Sequence, residues 1–340
     1  MKISKPDINK EKWKPLIGYP VLLILLLTAV HKNQDLFQEV LQYMRHIPLH
    51  FLFMALLAAI LYQILDGYIL YLFGRRYCAT LSVGNGIHAV LCGSFFRVAT
   101  FGSGMGITKV YYLTHDGLPV GNSMGACLLQ TIFFRAAVWV LGVLSLLFFP
   151  SIRFTIHPYR HAVTAGLFLS MALLLFLITI SFSRKFTAFL FRHAYRISKN
   201  HVPWTESLDK LQEQVSLLQT EAETVYHEKS FALHLLLLSI IQQLVLYLIP
   251  YFGSGDSSLS MIQMSAMTAI GYMLAGIIPM PSGFGSQEYI FSFLFSKLTN
   301  ASATASAIII FRFMVTFLPF FIGAVPVFFH KSSHHATQNE

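Results

Sequence analysis

The sequence predicts an all-α polytopic membrane protein, with about six full spans plus two re-entrant helical hairpins in an inverted repeat. Three observations carry this expectation. Only 11% of residues are charged against 55% hydrophobic, where an ordinary soluble domain carries about 25% charged residues. Six apolar runs approach or exceed the roughly 20 residues that a spanning helix needs. Two further apolar runs are each broken near the middle by a glycine cluster. Residues 1–340 therefore read as a single transmembrane domain with no sizeable soluble part.

The full spans are expected at 16–30, 49–73, 119–149, 161–183, 231–251 and 303–329. The first follows Lys2, Lys5, Lys10, Lys12 and Lys14, as the apolar core of a signal peptide would. No small-residue cleavage site follows it, and His31-Lys32-Asn33-Gln34 resembles an interfacial stop, so it is expected to be retained. The broken runs are 80–117, with Gly102-Ser103-Gly104-Met105-Gly106, and 257–298, with Pro279 and Pro281-Ser282-Gly283-Phe284-Gly285. Broken backbone at membrane depth is tolerated only where it is enclosed by protein or lines a wet cavity.

Cytoplasmic loops carry an excess of Lys and Arg. The N-terminus is basic, and so is the loop 184–230, which opens with Arg184, Lys185, Arg192, Arg196 and Lys199. If 80–101 crossed the bilayer as an ordinary span, that loop would fall outside; a re-entrant hairpin returns it to the cytoplasm. Both termini are then cytoplasmic. Within the loop, Leu208, Leu211, Val215, Leu218 and Val225 recur at three- and four-residue steps. This predicts an amphipathic helix lying on the membrane face or packed beneath the bundle. A partner-binding coiled coil is the alternative, on a short stripe.

An internal repeat links the two broken runs. Ser103-Gly104-Met105-Gly106 aligns with Ser282-Gly283-Phe284-Gly285, Lys109 falls opposite Glu288, and Phe134-Arg135 aligns with Phe311-Arg312 after a two-residue gap. The copies cover 80–149 and 257–329, each a hairpin followed by a span. Three full spans separate the glycine clusters, so the copies take opposite orientations, a recurring plan of secondary transporters. Glycine and serine recur in membrane helices for packing reasons alone; the matched arginines favour a true repeat.

The embedded charges supply the candidate substrate-binding residues: Glu288, Arg312, Arg135, Lys109, Arg97 and Asp66. A charge at the centre of a spanning helix costs at least about 2.5–3.5 kcal/mol on insertion scales and usually faces a partner or a cavity. For Arg135 and Arg312 two readings stay open: substrate contact, or a pin on the free carbonyls of a broken helix. Glu288 lies near the start of a half-helix, where the dipole favours a carboxylate. Arg97 and Lys109 bracket the first break and could hold a phosphate. The glycines and prolines of the breaks, Gly102, Gly104, Gly106, Pro279, Pro281, Gly283 and Gly285, shape the hairpin tips.

Other patterns are set aside. Gly121-Asn122-Ser123-Met124-Gly125 matches GxSxG but opens a membrane helix, not the strand-to-helix turn that a hydrolase elbow requires. The pairs His46/His50 and His157/His161 are interrupted by Pro48 and Pro158 and lack an acidic companion. Cys78, Cys92 and Cys127 form no CxxC pair. No catalytic residue, metal or cofactor is expected. The net charge of +9 flanks apolar segments, which points away from nucleic acid.

Pro279-Met280-Pro281-Ser282-Gly283-Phe284-Gly285-Ser286-Gln287-Glu288 closely resembles the signature Pro-x-Pro-Gly-Gly-x-Gly-x-x-Glu of the lysylphosphatidylglycerol synthase transmembrane-region family, with Ser282 replacing the first glycine. The resemblance extends over nearly the whole chain through the order of spans, the first glycine break and the basic central loop. The first break departs from it: Gly102 stands where proline is common, and Ile107 where many stand-alone members carry glutamate. The family includes the flippase half of the bacterial multiple peptide resistance factor and stand-alone membrane proteins. It implies a bacterial cell-membrane protein that moves an aminoacylated or other phospholipid between leaflets, with a homo-oligomer or a separate lipid-modifying enzyme as further partners. Full-length relatives attach lysine through a soluble C-terminal domain; lysyl transfer is not expected from this chain alone. The alternatives are an accessory or immunity-type membrane subunit acting through a partner, and an intramembrane enzyme on lipid-linked substrates.

Overall fold

The computed structural model describes residues 34–100, 102, 104–150, 152–153, 160–198, 202–275 and 285–336. The expected first span, 16–30, lies outside the described residues. The elements are α1 (Gln34–Arg45), α2 (Leu49–Gly74), α3 (Val83–Ala99), α4 (Gly104–His115), α5 (Val120–Phe148), α6 (Arg160–Phe182), α7 (Arg184–Ser198), α8 (Val202–His227), α9 (Lys229–Ser254), α10 (Met261–Ala275), α11 (Ser286–Phe295), α12 (Ala301–Arg312), a π-helical turn (Phe313–Phe317) and α13 (Leu318–Ala336). Five described stretches are long and apolar enough to cross a membrane: 49–74, 120–148, 163–182, 229–254 and 301–328. The fold is all-α and polytopic, as the composition predicts.

The first broken run forms a helical hairpin, and the helices that flank the second break pack on each other. Ser82 and Asn85 make a reciprocal capping box that starts α3. The helix then runs only 17 residues, about 25 Å, short of a hydrocarbon core of about 30 Å. Gly102, with a φ of 106°, turns the chain back, a conformation that glycine adopts without penalty. The Thr100 hydroxyl accepts the Gly104 N–H (2.6 Å), which opens α4. Gly93 lies against Met105 and Lys109, and the His88 ring meets Tyr112, so α4 runs antiparallel along α3. In the second copy α10 has 15 residues and α11 has 10; Gly271 and Tyr272 of α10 pack on Phe291 of α11. Among the described residues the left-handed glycine there is Gly285 (φ 89°), whereas its repeat mate Gly106 sits inside α4 with open space beside it. Pro279, Pro281 and Gly283 lie outside the described residues.

The two copies interlock. The long helix of the first copy, α5, lays Gly142 against Met273 of α10, in the hairpin of the second. The long helix of the second copy brings Gly323 of α13 so close to α3 that a Cβ there would overlap the Leu91 carbonyl oxygen. Phe95 and Phe320 stack beside that contact at 5.1 Å. Close backbone approach through small residues is how helices associate when lipid offers no hydrophobic driving force. Among the described residues three long apolar stretches, 120–148, 163–182 and 229–254, lie between the breaks.

Among the described side chains, the amphipathic helix α8 packs on the bundle through its second half. Leu218, Ala222 and Val225 are buried, while Leu211, one of the five stripe residues, is 49% exposed. The seat is the start of α5, where Gly121 and Gly125 give room to Leu217 and Glu221. The GxSxG pattern is thus a helix-packing GxxxG in this structure. Glu221, itself buried, accepts hydrogen bonds from Asn122 (2.5 Å) and from the Tyr77 hydroxyl (2.6 Å). Burial, reinforced by that bond to a carboxylate, pushes the Tyr77 phenol up to about 12.

Candidate functional site

The embedded charges converge from six helices. Asp66 on α2 and Lys109 on α4 form a buried ion pair at 2.9 Å. Two glutamines close it. Lys109 also donates to Oε1 of Gln130 on α5 (3.1 Å), and Gln130 Nε2 donates back to the Asp66 carboxylate (3.1 Å) and main-chain carbonyl (2.8 Å). Gln242 on α9 donates to the same carboxylate oxygen at 3.0 Å. A fully hydrogen-bonded buried pair of this kind ties four helices together.

The second pair belongs to the second copy. Glu288, in the first turn of α11, joins Arg312 at the end of α12 through Oε1, while its Oε2 accepts the Gly285 N–H at 2.8 Å. The carboxylate thus caps its half-helix and neutralises the buried guanidinium together. Three residues beyond Arg312, the Val315 carbonyl cannot receive an ordinary α-helical hydrogen bond, because residue 319 is proline and has no N–H. The helix widens into the π turn 313–317, and Arg97 from the tip of the first hairpin donates to that carbonyl at 3.0 Å. Arg97 therefore acts as a pin on a broken ladder and joins the tip of the first hairpin to the long helix of the second copy.

Arg135 differs. The repeat alignment sets Lys109 where the second copy has Glu288, so the first copy has no carboxylate at that position for its own arginine. Among the described residues Arg135 forms no ion pair. It lies in a narrow recess between α5, α6 and α10, lined by Trp139, Ser170, Leu173, Leu177 and Met273. That recess has room for about one water molecule. Trp139 Nε1 donates to Ser170 Oγ across it at 3.1 Å. The wall on the lipid side is α6, of which 6% is buried along its apolar window, against 28–44% for the other four long stretches. It is the span most lightly held by the rest of the protein.

Three tyrosines complete the centre: Tyr62 of α2, Tyr247 of α9 and Tyr272 of α10. Tyr247 and Tyr272 have ring centroids 5.4 Å apart, and the buried Tyr247 hydroxyl has no hydrogen-bond partner among the described residues. Arg135 lies within electrostatic reach of Tyr247, and Arg97, Arg312 and Glu288 of Tyr272. One turn before Tyr247, the side-chain amide of buried Gln243 is also without a partner at either end. The sequence reading missed the tyrosines and Gln130, Gln242 and Gln243. Their one signal is polarity inside otherwise apolar spans. Guanidinium, phenol and amide N–H or O–H groups are donors, so the centre is equipped to receive the oxygen atoms of an anion.

A search of the curated proteins finds no match. The family described as lysylphosphatidylglycerol synthase TM region matches residues 14–323, both hairpins and nearly all of the embedded charges' helices included. That range exceeds nine-tenths of the chain, and it ties a multi-pass membrane protein to phospholipid handling. The chain belongs to the lysylphosphatidylglycerol synthase TM-region family.

Proposed function

We propose that the protein translocates a phospholipid between leaflets of the bacterial cell membrane, with Arg135 as the contact for the lipid phosphate. The observation that carries this reading is a cation in a membrane-facing recess with no carboxylate among the described residues, beside an unpartnered Tyr247 hydroxyl. A cation held in a spanning helix without compensation is costly and marks a substrate path by default. The Asp66–Lys109 and Glu288–Arg312 pairs hold the hairpins in place; they position the site and leave Arg135 to receive the ligand.

In this mechanism α6 swings outward from α5 and α10 and opens the recess to the lipid. The phosphate replaces the water-sized space beside Arg135, with Tyr247 donating its hydroxyl. The acyl tails never leave the hydrocarbon, so only the head group needs a polar route. The interlocked hairpins present that route from opposite faces, and rocking of one copy against the other exposes Arg135 to each leaflet in turn, as in transporters built from inverted repeats.

The test uses the purified protein in liposomes containing acyl-labelled phosphatidylglycerol, with an impermeant quencher reporting flip. Wild-type protein should move label well above protein-free vesicles, and Arg135→Gln should lower the rate about tenfold or more, the loss of one charge-assisted contact. Wild-type vesicles no faster than empty ones would defeat translocation. An Arg135→Gln variant at wild-type rate would remove Arg135 from the path.

A further inference from the structure

Away from their interfacial ends, the apolar segments carry four cations, Arg97, Lys109, Arg135 and Arg312, and two carboxylates, Asp66 and Glu288. Both carboxylates are engaged. Asp66 accepts from Lys109, Gln130 and Gln242; Glu288 accepts from Arg312 and from the Gly285 N–H. The embedded charge is therefore positive by two, and the groups without partners beside Arg135 include the Tyr247 hydroxyl, a donor. The chemistry of a ligand that balances this centre follows: oxygen acceptors and net negative charge.

An aminoacylated head group does not meet that description. Lysyl-phosphatidylglycerol has one phosphate and two ammonium groups, so it would add a cation to a centre already in surplus. Each ammonium would need acceptors and a compensating charge; both embedded carboxylates are taken by Lys109 and Arg312, and Gln243 Oε1, an acceptor with no partner among the described residues, carries no charge to offset them. Like charges brought together where water is excluded repel strongly. We infer that the head group this protein selects is net anionic and amine-free, a phosphate ester of the phosphatidylglycerol kind, in preference to an aminoacylated lipid. The inference rests on the translocase reading and narrows its substrate class.

The experiment compares acyl-labelled phosphatidylglycerol, phosphatidylethanolamine and lysyl-phosphatidylglycerol in otherwise identical proteoliposomes of the full chain. Phosphatidylglycerol should flip about tenfold faster than lysyl-phosphatidylglycerol, with phosphatidylethanolamine between them. Arg135→Gln should flatten that preference, and Arg135→Lys, which keeps the charge, should retain it; melting temperatures of both variants near wild type establish that they are folded. Lysyl-phosphatidylglycerol or phosphatidylethanolamine moving as fast as phosphatidylglycerol overturns the inference and leaves translocation standing. If no lipid outpaces empty vesicles, translocation itself falls. A preference that survives Arg135→Gln in full also overturns the inference, since the selectivity would then reside elsewhere.

Discussion

Lys109 offers the sharpest test of how the centre is held. Replacing it with methionine keeps the stem of the side chain and removes the charge, leaving Asp66 buried with its two glutamine donors. Breaking a buried ion pair by deleting one partner typically costs about 3–5 kcal/mol. Lys109→Met should therefore lose about 3–5 kcal/mol. Adding Asp66→Asn should restore most of it. Asparagine Oδ1 still accepts from Gln130 and Gln242, and its Nδ2 can donate to Gln130 Oε1, which the lysine has vacated. Neutral replacement of a whole buried pair is often close to energetically neutral. Unfolding of the purified protein by SDS in mixed micelles measures both variants. If Lys109→Met unfolds within about 1 kcal/mol of wild type, or the double variant is worse than the single one, the pair is not the closed network described above.

Three more outcomes are expected. Gly323→Ala should unlock α13 from α3, because its Cβ would overlap backbone (the Leu91 carbonyl) and not a yielding side chain; retained thermal stability in detergent would contradict the close approach. In ultraviolet titration one phenol should ionise near pH 12 and vanish in Tyr77→Phe. Because folding raises that phenol, its contribution is complete below the ordinary tyrosine range near 10 and is lost as pH rises towards 12, so the Tyr77→Phe variant should show a shallower alkaline loss of stability. With Cys78, Cys92 and Cys127 replaced, cysteines placed at Ser198 and at Gln338 should resist impermeant labelling of intact cells; reaction at either position would refute a cytoplasmic α7–α8 region and C-terminus.

How far the sequence could be read depended on whether a feature was local. Arg135 and Arg312 stood out because each is isolated in an apolar run, and the glycine clusters because they interrupt such runs. The hairpins follow from that and from loop charge. Partners are another matter. Asp66 and Lys109 are 43 positions apart, and nothing local says that α2 borders α4. Gln130 and Gln242 carry no charge and so raised no alarm, although they complete the pair. The role of Arg97 depended on Pro319, more than two hundred residues away, which frees the carbonyl that the guanidinium fills. Leu211 continued a regular stripe, yet the part of α8 that is seated was decided by Gly121 and Gly125 on another helix. The repeat was read from Ser-Gly-x-Gly, but the left-handed glycines described beside the breaks, Gly102 and Gly285, are not an aligned pair.

The interlocking of the copies has a consequence for synthesis. The first hairpin is made early, but its outer wall is α13, with Gly323 and Phe320 seated on Leu91 and Phe95. Arg97 likewise waits for the Val315 carbonyl. Some two hundred residues separate these partners, and at about 5–20 residues per second the ribosome needs on the order of ten to forty seconds to supply them. During that interval a hairpin with broken backbone and a cationic tip sits in or beside the bilayer without its cover. Insertion of this protein is therefore not a succession of finished helices but a wait for the last one, and a chain that stops before α13 leaves its first hairpin without its wall.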